Sequence, residues 1–121
     1  MNLAMYDALC EALMEQAKSV EDAKRPGYTT GTDDVLSNFK RVGEQTGIMP
    51  EKVLMIYMLK HLDSIRTLLN NIEKGEATQD PEPWQGRMHD IINYVKLLYA
   101  LMAERELHNG PTPTNGGSKH E

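Results

Sequence analysis

Apolar residues recur every three and four positions through most of this chain, the periodicity of helices that bury one face. Between residues 3 and 23 the stripe is Leu3, Tyr6, Leu9, Cys10, Leu13, Met14, Ala17 and Val20, with polar residues between them. It predicts an amphipathic helix that Arg25-Pro26-Gly27 ends, because Pro disfavours helical backbone before it and Gly frees the turn. A loop over Tyr28–Thr32 follows, with Thr32 as the expected N-cap of a short second helix reaching Thr46. Asp33 and Asp34 then sit in its first turn, where acids suit the helix dipole. Val35, Phe39 and Val42 form its buried face, and Gly47 stops it. Pro50 fits the first turn of a third helix that runs to Lys74 and stops at Gly75. Its apolar residues run from Val53, Leu54 and Ile56 through Leu59, Leu62 and Ile65 to Leu68, Leu69 and Ile72. Residues 76–83 are polar and hold two prolines, which makes them a loop.

The last segment organises the others. Arg87–Met102 contains no Gly or Pro and is apolar over most of its circumference, which predicts burial by neighbours on several sides. Arg87, Asp90 and Asn93 interrupt it at one-turn spacing and so share a face. Buried polar groups are costly unless partnered, so this stripe is the leading functional feature. After Leu107 the chain turns rich in Gly, Pro, Thr and Asn and cannot bury enough to order itself. The reading is one domain over residues 1–107 and a flexible, disordered tail over 108–121. Aromatic residues make up only 6%, and no alternating β-branched runs appear, which argues against a sheet. The fold class is therefore all-α, a four-helix antiparallel bundle with short connections.

Composition narrows the function classes. A chain of 121 residues with 40% hydrophobic and 26% charged residues suits one soluble globular domain. No apolar run reaches the roughly 20 residues that span a bilayer, so no membrane partner is expected. Asp7 and Glu11 come too early for a signal peptide, and lone Cys10 sits on an apolar face without an internal disulfide partner. Both point to a cytoplasmic protein. A net charge of −5 argues against non-specific nucleic-acid binding. Met55 and Met58 widen the apolar surface of the third helix beyond what four short helices can cover, which predicts a homo-oligomer.

The candidate ligand-binding residues come from four places. The third helix carries Tyr57, Lys60, His61 and Ser64 at three-and-four spacing, with Asp63 beside them. The second carries Asn38, and the fourth Arg87, Asp90, Asn93 and Tyr94. Trp84, the sole tryptophan, is read as a lid residue that anchors the preceding loop. Converging in a bundle, these groups make a polar pocket with apolar walls, a common form for small-ligand sites. Lys and Arg bind phosphate as a point charge and a planar fork, Asn38 and Asn93 can read a base or sugar edge, and Tyr57, Tyr94 or Trp84 can stack on it. No nucleophile stands in a recognisable motif, so no catalytic residue is assigned. His61 and His89 each lack a second His or Cys at ligand spacing, so no metal site is assigned and no cofactor is required.

Asn38-Phe39 on the short helix, Lys60-His61 on the long one and Asp90-Ile-Ile-Asn93-Tyr94 on the last together resemble a known family. It is the nucleotide modification associated domain 1 group of the MazG-like all-α nucleotide pyrophosphohydrolases, frequent among bacteriophage proteins. The resemblance covers roughly residues 28–102. It implies a MazG-like bundle and a nucleotide ligand, with Mg²⁺ held by paired acids on facing helices where the member is hydrolytic. The matching positions here are Lys60-His-Leu-Asp63 and Arg87-Met-His-Asp90, each keeping the second acid and placing a cation where the first would be. A cation there takes the metal's electrostatic role and repels it, yet suits direct phosphate binding.

Three functions follow as expectations. The first is binding of a nucleotide or nucleotide-like signal without hydrolysis, as in a phage protein that sequesters a host defence signal. The second is a protein-binding phage accessory that inhibits a host defence enzyme through a helix face. The third is Mg²⁺-dependent hydrolysis by a rearranged acidic set of Asp33, Asp34, Asp63 and Asp90.

Overall fold

A computed structural model describes residues 1–29 and 31–113. They form four helices, α1 (Leu3–Thr29), α2 (Ser37–Thr46), α3 (Pro50–Lys74) and α4 (Trp84–Asn109), with no strand among the described residues. The all-α fold is as the periodicity predicts. Thr30 of the first loop and residues 114–121 of the expected tail lie outside the described residues. Helix α4 runs past Leu107 to Asn109, where the Gly110 N–H donates to the Glu106 carbonyl.

Two boundaries differ from the sequence expectation. Pro26 does not end α1; the helix continues through it to Thr29. A proline removes its own N–H bond to the carbonyl four residues back and crowds that carbonyl with its ring. Here that loss falls in the last turns, next to Lys24, Glu21 and Ala17, all of which are bonded to α4. The second helix starts at Ser37, four residues later than Asp33, and its N-cap Leu36 offers no side-chain acceptor. Thr32 and Asp34 instead build the turn before it: the Asp34 N–H donates to Thr32 Oγ1, and the Leu36 N–H donates to Asp34 Oδ1. Ser, Thr and Asp side chains compete for nearby backbone in this way whenever a turn is on offer. The stops hold as expected, with Gly47 and Gly75 left-handed at φ 73° and 71°.

Helix α4 is the centre of the molecule. It packs antiparallel on α3 along one side and parallel to α1 along the other, while α2 bridges α1 and α3. Helices α1 and α3 make no close backbone approach, so α4 forms the floor between two walls. The core joins Leu36 and Phe39 to Val53, Leu54 and Met58 of α3 and to Leu97 and Leu101 of α4. Phe39 is fully buried, its ring 5.7 Å from Tyr57 and 6.4 Å from Tyr94. The turn from α2 to α3 is tight because Gly43 has no side chain: a Cβ there would lie 2.6 Å from the Ile48 carbonyl oxygen. At the far end, buried Glu51 takes a two-pronged bond from Arg105, at 2.6 and 2.8 Å, pinning the start of α3 to the end of α4.

The face turned away from α2 is apolar and open. Met55, Leu59, Leu62 and Leu69 of α3 and Trp84, Val95, Tyr99 and Met102 of α4 are all exposed there. Met58, grouped with Met55 by the sequence, lies in the core instead. No helix among the described residues is long and apolar enough to cross a membrane.

Candidate functional site

The site grows from the polar stripe of α4. Asp90 and Asn93 are 5% and 3% exposed, so the helix does bury them, on the floor between α1 and α3. Asp90 Oδ1 accepts from Lys24 Nζ of α1 at 2.7 Å, and Oδ2 lies 3.6 Å from His61 Nδ1 of α3. Asn93 Nδ2 donates to the Ala17 carbonyl at 2.8 Å, while its Oδ1 is buried without a hydrogen-bond partner. Arg87 lies one turn earlier and reaches His61 Nδ1 at 3.4 Å. One imidazole nitrogen therefore sits between a guanidinium and a carboxylate. Its tautomer decides whether it accepts from Arg87 or donates to Asp90.

The charges around His61 set its state. Burial is the main influence and lowers its pKa from 6.5; Asp90 and Glu82 oppose this, while Arg87 and Lys24 reinforce it. The ring is thus a neutral donor and acceptor at pH 7. Arg87 is itself held: Nε and Nη2 bond to Asp80 at 3.1 and 2.8 Å, and Nη1 lies 3.1 Å from Glu82. The fork raises the Arg87 pKa and lowers that of Asp80, first through the hydrogen bonds between them. Beyond Arg87 the surface opens into a cavity of about 500 Å³ lined by Asp63, Ser64, Thr67, Asn71, Thr78 and Asp80 among others.

The structure brings together part of the predicted set. His61, Arg87, Asp90, Asn93 and Tyr94 converge, with the Tyr94 ring 5.5 Å from the imidazole. Tyr57 is half-buried behind them against Phe39, a packing residue on the wall. Ser64 and Trp84 line a small cavity beside Arg87, with Ser64 donating to the Lys60 carbonyl. Trp84 is half-exposed at the first turn of α4 and does not close over the cluster. Lys60 does not join: one residue from His61 on a helix is a rotation of about 100°, which turns its side chain out to solvent. Asn38 also stands apart, its Oδ1 accepting from Arg41 on the outside of α2.

Three members were not found from the sequence. Lys24 continues the inward α1 stripe of Leu13, Ala17 and Val20, partly buried apart from the fully buried Ala17, at position i+4, and a cation on that face was a legible signal hidden by the assumed stop at Pro26. Asp80 and Glu82 lie in the irregular loop before α4, where no periodicity marks an inward side chain.

The Mg²⁺ that the family resemblance brings with hydrolysis does not fit these residues. Asp90 carries an ammonium on one oxygen, Asp34 is bonded to Lys40, and Asp63 pairs with Arg66 on the surface. Asp33 is exposed. No three His, Cys, Asp or Glu residues among those described are grouped to hold a metal ion. The rearranged acidic set does not assemble, and hydrolysis through it is set aside. No family model matches the chain, and no curated protein or solved structure matches it either.

Proposed function

We propose that this chain binds a nucleotide or nucleotide-like signal at the polar cluster of α4 between α1 and α3, without hydrolysing it. The observation that carries the reading is the unpartnered Asn93 Oδ1, an acceptor buried beside Asp90 and His61. A buried acceptor without a donor costs about 1–3 kcal/mol, and an exocyclic amino group of a nucleobase is a donor that relieves it. Asn93 and Arg87 are six residues apart on α4, about 9 Å along the axis, comparable to the reach from base to phosphate in a nucleotide. The rings of Tyr94 and His61 pack on each other between them, 5.5 Å apart. Arg87 supplies the planar fork a phosphate takes, and Asp80 holds that fork in position. The resemblance to the nucleotide modification associated group supports the same ligand class, and a lone ammonium-paired Asp90 supports capture over turnover. A phage protein that sequesters a host signal would need no more than this.

Thermal-shift measurements with mononucleotides, dinucleotides and cyclic nucleotides test the proposal. A stabilising ligand is expected, with its effect lost in Asp90→Ala and Arg87→Ala. A flat response to all three classes would overturn it.

A further inference from the structure

The outward side of α4 holds Trp84, Met88, Ile91, Val95, Tyr99 and Met102, uncharged from one end to the other, and Tyr99 is 77% exposed. Leu59 and Leu62 of α3 extend this strip on one flank. On the other flank a groove of about 760 Å³ runs between α4 and the first half of α1, walled by Leu9 and Leu13. Apolar surface on this scale is uncommon on a monomer. We infer that a second copy of this chain docks here, α4 against α4 in antiparallel sense, with the two-fold axis beside Val95.

Three features favour a copy over a different protein. First, the strip is self-complementary. With Val95 on the axis, Met88 falls opposite the partner's Met102 and Ile91 opposite the partner's Tyr99, so apolar meets apolar over roughly the middle four turns, and Trp84 falls beside the partner's Glu106 at each end. An isologous interface demands such symmetry; a heterologous one does not. Second, residues of opposite charge stand at the two ends of the strip, Arg66 (itself paired with Asp63) and Glu106. Exposed Arg66 of α3 flanks the Met88 end and exposed Glu106 the other, so an antiparallel pairing brings them within about one turn of each other across the interface. Third, the area suffices. Half of a large apolar side chain is on the order of 100 Å². The eight exposed apolar residues of α3 and α4 on this face therefore offer roughly 800 Å², the patch each partner contributes to a standard stable interface. The first turns of α1 fit the same arrangement: Leu3, Met5 and Tyr6 lie beyond the level at which α1 passes the start of α4, and they are exposed. Their stripe continues where their own chain gives it no helix to cover, and a partner does.

Light scattering on the full chain is expected to give twice the 13.7 kDa chain mass. Val95→Glu is expected to give the single-chain mass with an unchanged helical circular-dichroism signal, because Val95 is half-exposed within its own chain. In a Cys10→Ser background, Val95→Cys should cross-link to its counterpart under mild oxidation, while Lys60→Cys, on another face of α3, should not. A single-chain mass for the unaltered protein, a dimer that persists in Val95→Glu, or cross-linking through position 60 in place of 95 would each overturn the inference. None of these readings depends on a nucleotide being bound.

Discussion

Lys24 and Asp90, 66 residues apart in the chain, meet at 2.7 Å between α1 and α4. The carboxylate is buried and the ammonium is about half exposed, so the two partners are not equivalent. Removing the lysine leaves an uncompensated buried charge, whereas removing the acid releases a cation that water can solvate. Lys24→Met is therefore expected to destabilise the chain more than Asp90→Asn, by about 1–3 kcal/mol for the former. Urea unfolding of the two variants checks the order; the reverse order would show that Asp90 is wetter than its position implies.

His61 gives the cluster a pH dependence of defined sign. Its folded-state pKa lies below the ordinary 6.5, chiefly through burial, so the unfolded chain binds its proton first as pH falls. Stability from this residue is complete above about pH 6.5 and declines as pH drops through the interval down to the folded pKa. The carboxylates of Asp80, Asp34 and Glu51, all lowered by cationic partners, lose their contributions at more acidic pH. His61→Gln should flatten the upper part of a stability-versus-pH curve and leave the acid limb in place. An unchanged upper limb would mean that the imidazole is solvated.

Gly43 has a role that its place inside a helix conceals. Any Cβ there collides with the Ile48 carbonyl oxygen, which is backbone and cannot swing aside. Gly43→Ala is expected to lower stability by about 1–3 kcal/mol, against the gain of nearly 1 kcal/mol that the same change brings to an unconstrained helix. Thermal melts of Gly43→Ala beside Gly27→Ala, where a Cβ meets nothing, separate the two effects.

Pro26 stands inside α1 and donates no N–H. Pro26→Ala restores that bond near the helix end and is expected to raise stability by roughly 1 kcal/mol, less than the interior cost of a proline. Circular dichroism and urea titration would show it; a loss of stability would mean that the proline bends α1 onto α4 to advantage.

Much of the fold was written in local chemistry. The stops at Gly47 and Gly75, the Pro50 start and the buried Asp90–Asn93 stripe are all consequences of residue type and helical period. Where the reading went astray, a long-range contact outweighed a local preference. Pro26 ends helices in isolation, but α1 is held to α4 on the turn before it. Thr32 and Asp34 look like a cap and serve as a turn. Neighbouring residues can also part company: Lys60 and His61 read as one motif, yet a single step around α3 sends one to solvent and the other to the cluster. Loop carboxylates such as Asp80 carry no pattern at all, since their direction is fixed only once α4 presents Arg87.

The way α1 is attached bears on how a guest reaches Asn93. Helices α3 and α4 are neighbours in the chain, joined by residues 75–83, so their mutual contacts cost little loop-closure entropy. Helix α1 is fastened to α4 by side chains 66 to 76 residues away along the chain and rests on α2, with no close backbone approach to α3. It is the piece expected to open first. Its amides should exchange with deuterium through partial openings that leave α3 and α4 protected. Each such excursion would bare Asp90 and Asn93 from the side, and a captured molecule that rivets α1 back down would slow that exchange and its own escape together.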